Sequence, residues 1–86
     1  SIPMGVVQKA LNLYLKLQWC AGHISEPPHC PIDSVIIKKL PVKRRKSWTK
    51  IRETQTYLQL IRDLETLANA KGASLAVWEL ETYKKP

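Results

Sequence analysis

The sequence is poor in several residue types that particular functions require. Its 86 residues include no phenylalanine, three glycines, two cysteines and two histidines. So few glycines leave no glycine-rich loop of the kind that cradles a phosphate or completes an oxyanion hole. No third residue is placed to orient a cysteine–histidine dyad. The sequence therefore predicts a protein that is not an enzyme and that uses no cofactor.

Long apolar runs are also missing. Glutamine, asparagine and lysine interrupt the longest apolar stretches, which fall short of the roughly 18–20 residues that a membrane span needs. The first residues lack the basic and apolar regions of a secretory signal. We therefore expect an intracellular protein that does not bind membranes. The first residue, Ser1, fits a processed chain, a tag remnant or a piece of a larger protein.

The hydrophobic content of 44% is enough for one small core, so residues 1–86 are expected to form a single domain. Helical periodicity of apolar residues predicts helices at residues 6–20, 32–40, 54–71 and 75–83. The second segment also fits a buried strand, and the fourth alternates as a strand does. We expect a mainly α-helical bundle of three or four helices. A proline-rich connector (23–31), an exposed basic loop and a frayed tail (84–86) complete the prediction.

The first predicted helix is apolar on most of its sides. Its stripe consists of Val6, Val7, Ala10, Leu11, Tyr14, Leu17 and Ala21. Such a helix is either central to the bundle or covered by a partner. Because the chain lacks phenylalanine, Trp19 and Trp78 are expected to help fill the core.

Positive charge is concentrated in one short segment, residues 38–52. Residues 1–37 carry no net charge and residues 53–86 carry −1, whereas the basic segment has eight basic residues, no acidic residue and a net charge of +8. The whole excess of +7 therefore comes from fifteen residues. A focused excess of this kind indicates an anionic partner.

The composition of the basic segment favours contact with the phosphate backbone of DNA or RNA. The predicted contact residues are Lys38, Lys39, Lys43, Arg44, Arg45, Lys46, Trp48, Lys50 and Arg52. Residues 43–46 would neutralise phosphates, the other cations would widen the footprint, and Trp48 would brace the loop. A helix-turn-helix is not expected, because the gap between the second and third predicted helices exceeds the usual turn. We expect an accessory domain of a replication, recombination, transcription or mobile-element machine.

A different function class fits the same sequence. The chain can instead be a protein-interaction domain that docks through its apolar first helix, on another subunit or on the rest of a larger chain. The basic loop would then face an acidic partner. As a minor reading, residues 41–46 also have the composition of a nuclear-localisation patch.

Two cysteines and two histidines lie close together in sequence, at Cys20, His23, His29 and Cys30. These residue types can ligate zinc, but adjacent residues 29 and 30 point apart in an extended chain, so no metal site is predicted. A Cys20–Cys30 disulfide is geometrically possible, although nothing indicates an oxidising compartment. The favoured interpretation places both cysteines in the core and both histidines at the surface or on backbone carbonyls.

Overall fold

Helices account for most of the chain. The computed structural model describes residues 3–47, 49 and 51–84. Within these residues the α-helices are α1 (Met4–Cys20), α2 (Ser34–Ile37), α3 (Thr54–Ala70) and α4 (Leu75–Lys84), and a 3-10 turn, Val42–Arg44, lies between α2 and α3. The prediction of a small, mainly α-helical fold is confirmed.

The third helix matches its sequence pattern closely. The predicted stripe is buried at Tyr57, Leu60, Ile61, Leu64 and Ala68, because these residues recur every three or four positions and so share one face. The helix ends at Ala70, Lys71 is its C-cap residue, and the next residue, Gly72, has a φ of 73°. This left-handed conformation favours glycine directly after a helix. At the other end, Glu53 is the N-cap residue and Thr54 is the first helical residue.

The last segment is a helix rather than a strand. Ser74 precedes it, and its hydroxyl accepts a hydrogen bond from the Val77 N–H at 3.4 Å. Trp78 and Glu79 are both buried, although they are adjacent in sequence and differ in polarity. In a strand, adjacent side chains point to opposite faces, so burial of both neighbours does not fit the strand that the apolar and polar alternation suggested.

The second helix is much shorter than the predicted residues 32–40. The side chain of Asp33 caps it and accepts from the Ile36 N–H at 3.0 Å. After Ile37 the chain continues as a turn, so α2 comprises four residues. Its buried residues, Ile36 and Ile37, anchor the start of the basic segment in the core.

The core is assembled by α3, α4 and the segment that precedes α3. Its buried hydrophobic cluster consists of Cys30, Ile32, Ile36, Ile37, Leu40, Ile51, Tyr57, Leu60, Ile61, Leu64, Ala68, Leu75 and Trp78. From α1, the partly buried Met4 packs against this cluster. The expectation that Trp78 fills the core is confirmed, whereas Trp19 is only half-buried.

Helix α1 packs on the rest of the protein through a polar side and exposes its apolar side. Its inward side carries Gln8 and Asn12, whereas Leu11, Tyr14 and Leu17 face outward. The interpretation of this apolar stripe as core is therefore wrong within the described chain. The physical reason is that both buried amides have hydrogen-bond partners inside the fold, which offsets their desolvation.

Candidate nucleic-acid interface

The basic segment starts where α2 ends. Lys38 is the C-cap residue of α2, and Lys38 and Lys39 are both exposed. They lie directly beyond the buried Ile36 and Ile37, so the core fixes the position of their backbone.

Arg45 fastens the loop that follows α2. Its Nε donates to the carbonyl oxygen of Leu40 at 2.9 Å, and its Nη2 donates to the carbonyl oxygen of Lys38 at 3.0 Å. Both carbonyl groups lie after the end of α2, whose own Ser34, Ile36 and Ile37 carbonyls accept from backbone N–H groups. The guanidinium thus joins two points of the loop backbone to Arg45. Arg45 therefore positions the segment through its own side chain.

The middle of the segment is a tight turn on the surface. The Arg44 N–H donates to the Pro41 carbonyl at 2.8 Å, which closes the 3-10 turn Val42–Arg44. Lys43, Arg44 and Lys46 are exposed around this turn. The Arg44 guanidinium also lies 3.2 Å from a carboxylate oxygen of Asp63 on α3. Because the Arg44 side chain remains 58% exposed, this ion pair is weak and readily exchanged.

A shallow groove separates the turn from the first half of α3. It encloses about 320 Å³, and Lys43 and Lys46 line one side of it. Glu53, Gln59 and Asp63 also line it. Because two of these residues are acidic, the groove suits a polyanion less well than the outer side of the basic segment does.

Seven of the predicted contact residues lie within the part of the chain that the structure describes. All seven are exposed: Lys38, Lys39, Lys43, Arg44, Arg45, Lys46 and Arg52. Trp48 and Lys50 lie outside the described residues. Among the seven, Arg44 forms the only ion pair that involves described residues. The segment thus presents positive charge that the described part of the protein leaves largely uncompensated.

Neither a protein-family model, nor a curated protein, nor a solved structure matches this chain. In the described residues, no helix is both long enough and apolar enough to cross a membrane.

The structure does not bring the cysteines and histidines together. Cys20 is exposed, contrary to the expectation of a core position, because residues 20–26 all lie at the surface. Cys30 is buried as expected, and burial raises the pKa of its thiol. Both thiols are free. Within residues 3–47, 49 and 51–84, no cluster of three histidine, cysteine or carboxylate side chains could hold a metal ion.

The two histidines have different surroundings. His23 is exposed, and its Nδ1 lies 2.9 Å from Oε1 of Gln18. His29 is partly buried, and its Nδ1 lies 2.6 Å from the Tyr57 hydroxyl. Because that hydroxyl accepts from Asn12 at 3.2 Å, its own proton is available to the ring nitrogen of His29. His29 is thus part of the polar contacts that attach α1 to α3.

Sequence reasoning missed a polar network beneath α1. Gln8 donates a hydrogen bond to the Ile32 carbonyl, and Asn12 donates one to the Tyr57 hydroxyl. The ammonium group of Lys16 lies 2.9 Å from the carboxylate of the buried Glu79. A signal for it was present, since Gln8, Asn12 and Lys16 recur every fourth residue and therefore line one side of the helix.

Proposed function

We propose that this protein is a non-enzymatic accessory domain that binds the phosphate backbone of a nucleic acid through its basic segment, residues 38–52. Its place would be inside the cell, in a replication, recombination, transcription or mobile-element machine. The observation that carries this proposal is the exposed cluster of cations on a loop whose backbone Arg45 holds in place.

The arrangement supports binding to phosphate through charge. Lys38, Lys39, Lys43 and Lys46 are exposed and act as point charges. Each cation that meets a phosphate releases condensed counterions, which drives association at low salt. Lysine ammonium groups contact phosphates without reading bases, so this mode favours backbone recognition over sequence recognition.

Arg44, the last residue of the 3-10 turn, and Arg45, the residue after it, have separate roles in this proposal. Arg44 exchanges its exposed ion pair with Asp63 for a phosphate, to which a guanidinium can donate two parallel hydrogen bonds. Arg45 keeps its bonds to the carbonyls of Lys38 and Leu40 and so positions the neighbouring lysines.

The state of the candidate nucleophiles supports a non-enzymatic role. Cys30 is buried, and its raised pKa disfavours the reactive thiolate. The Nδ1 of His29 is engaged by the Tyr57 hydroxyl at 2.6 Å.

The test is fluorescence anisotropy with labelled single-stranded DNA, duplex DNA and RNA over a salt series. If about five to seven of the eight cations meet phosphate on duplex DNA, the plot of log K against log salt should fall with a slope of roughly −4 to −6. We compare a double variant, Lys43→Ala with Lys46→Ala, with a control that removes the same charge, Lys71→Ala with Lys84→Ala. Lys71 and Lys84 are exposed and lie outside the segment.

We expect the variant in the segment to bind all sequences more weakly and to lose about two units of salt slope. The control should keep the wild-type slope. No binding by the wild-type protein at low salt would overturn the proposal. Equal losses in the two variants would also overturn it, because binding would then follow net charge rather than the basic segment.

A further inference from the structure

The outward half of α1 is apolar along its whole length. Its large exposed side chains are Val7 (49% exposed), Leu11 (55%), Leu13 (41%), Tyr14 (59%) and Leu17 (58%). Ala10 and Ala21 are exposed as well. On a helix with 3.6 residues per turn, one face, here called the α1 face, is shared by Val7, Ala10, Tyr14, Leu17 and Ala21. An apolar surface this continuous is typical of an interface.

This α1 face cannot be hidden by turning the helix. The opposite side of α1 is fixed by three polar residues. Gln8 donates to the Ile32 carbonyl at 2.7 Å, Asn12 donates to the Tyr57 hydroxyl at 3.2 Å, and Lys16 lies 2.9 Å from Glu79. Rotation that buried the leucines would strip all three of their partners, and unpaired buried polar groups are costly.

The α1 face favours a partner whose contact surface carries no charged group. Helix α1 contains no acidic residue, and its two lysines are Lys9 and Lys16. Lys16 is directed inward to Glu79, and Lys9 precedes Tyr14 by five positions, which places it about 140° around the helix from that residue. A strongly charged partner would lose its hydration here and gain no counter-charge.

We propose that the α1 face binds the same face of a second copy of this chain, with the two helices antiparallel and the two-fold axis level with Asn12. A two-fold interface pairs each residue with its counterpart reciprocally. Centred on Asn12, the pairing sets Val7 opposite Leu17 of the other copy, and Ala10 opposite Tyr14. The smallest exposed side chain of the face thus meets the largest, which lets the helices approach closely.

The available area reaches the lower limit for a specific dimer, which is about 1,000 Å² over the two copies. The five large side chains expose about 500 Å² per copy, and the alanines and helix flanks extend this toward the roughly 800 Å² per partner of a standard interface. The seventeen residues of α1 give a contact about 25 Å long.

The dimer leaves the basic segments free. On α3, Tyr57 contacts Asn12 of α1, whereas Asp63 contacts Arg44 of the segment. Residues 57 and 63 are six positions apart, so they lie about 120° apart around α3. The N-terminus of α1 does contact the basic segment, since the Gly5 N–H donates to the Ile51 carbonyl at 3.0 Å, but Gly5 lies on the buried side of α1. The outward α1 face is therefore turned away from the segment. Dimerisation does not depend on nucleic-acid binding, so a result that overturns one of the two proposals leaves the other standing.

The first test is sedimentation velocity from low to high micromolar concentration. We expect the wild-type chain to form a dimer and Tyr14→Glu to sediment as a monomer, with dimerisation weakened by at least about a hundredfold, because the buried charge occurs twice in a two-fold interface. Val42→Glu is the matched control, since Val42 is 75% exposed and lies outside α1. It should still dimerise. Circular dichroism of both variants should match the wild type, because both positions are exposed.

A second experiment tests the orientation. In a Cys20→Ser background, the double variant Val7→Cys with Leu17→Cys should form an intermolecular disulfide on mild oxidation, whereas Val7→Cys alone should not. Rapid cross-linking of Val7→Cys alone would overturn the antiparallel arrangement. A wild-type monomer at every concentration would overturn the dimer, as would a monomer that binds neutral phosphatidylcholine vesicles through the α1 face. Equal dissociation of the Tyr14→Glu and Val42→Glu variants would also overturn it.

Discussion

Glu79 on α4 is a buried acidic residue that pairs with Lys16 of α1. It is 2% exposed, and its two carboxylate oxygens lie 2.9 and 3.1 Å from Nζ of Lys16. Burial raises the pKa of this carboxyl, and the hydrogen bond and charge of Lys16 lower it only in part. The ion pair therefore orients α1 against α4 without fully offsetting the desolvation of the carboxylate.

The raised pKa of Glu79 determines the sign of a pH effect. The folded state binds the carboxyl proton of Glu79 more tightly than the unfolded state does. The contribution of Glu79 to the unfolding free energy therefore has its full value below the unfolded pKa of about 4.3. It is lost as pH rises through the folded pKa. Glu79→Gln removes this loss. We expect the difference in unfolding free energy, variant minus wild type, to increase as pH rises above about 4.

Urea unfolding from about pH 3 to pH 8 measures this difference. Glu81→Gln is the matched control, since Glu81 is exposed on the same helix, and its difference should stay nearly constant. A difference for Glu79→Gln that is flat, or that falls with pH, would contradict the assignment of burial as the dominant effect.

At the scale of the element, α1 is held in place by amides. Gln8 makes two hydrogen bonds to Ile32, donating to its carbonyl at 2.7 Å and accepting from its N–H at 3.1 Å. Asn12 donates to Oε1 of Gln8 at 3.0 Å and so orients that side chain. These bonds tie α1 to the segment that leads into α2.

Replacing Gln8 with methionine tests this attachment. Gln8→Met keeps the length of the side chain but leaves the buried N–H and C=O groups of Ile32 without partners. We expect a loss of about 2–4 kcal/mol of stability, measured by urea unfolding. Gln55→Met is the control, because Gln55 is exposed on α3, and it should change stability by no more than about 0.5 kcal/mol. A similarly small change for Gln8→Met would show that α1 is held by other contacts.

The two long helices show what periodicity can and cannot predict. In α3 the apolar stripe is opposed by polar residues, so the pattern gives both the helix and its buried face. In α1 apolar residues cover most of the helix, and periodicity predicts a helix without deciding its orientation. That choice depends on Ile32, Tyr57 and Glu79, which are distant in sequence and supply partners to Gln8, Asn12 and Lys16.

The candidate nucleic-acid interface can likewise be predicted only in part from the sequence. The concentration of charge in residues 38–52 is a property of the sequence, and so is the exposure expected of so many cations. The role of Arg45 is different, because it requires the carbonyls of Lys38 and Leu40 to lie within reach of one side chain. Composition alone groups Arg45 with its neighbours as a phosphate ligand, whereas its geometry makes it a positioning residue.

For the whole molecule, the net charge of +7 opposes folding, since all of this excess comes from one segment. A triple variant, Lys39→Gln with Lys43→Gln and Lys46→Gln, lowers this repulsion and removes no ion pair that the described residues make. We expect it to gain about 0.5–1 kcal/mol of stability at low salt. The gain should vanish near 1 M salt, where the Debye length is about 3 Å.

Arg45→Gln provides the contrast within the same segment. It also removes one positive charge, but it breaks the hydrogen bonds to Lys38 and Leu40, which salt does not screen. We expect this variant to lose about 1 kcal/mol at both salt concentrations. Urea unfolding at low and high salt distinguishes the two behaviours. A triple variant less stable than the wild type at low salt would mean that the lysines stabilise the fold. The basic segment would then be a structural element, and its charge would need no external partner to explain it.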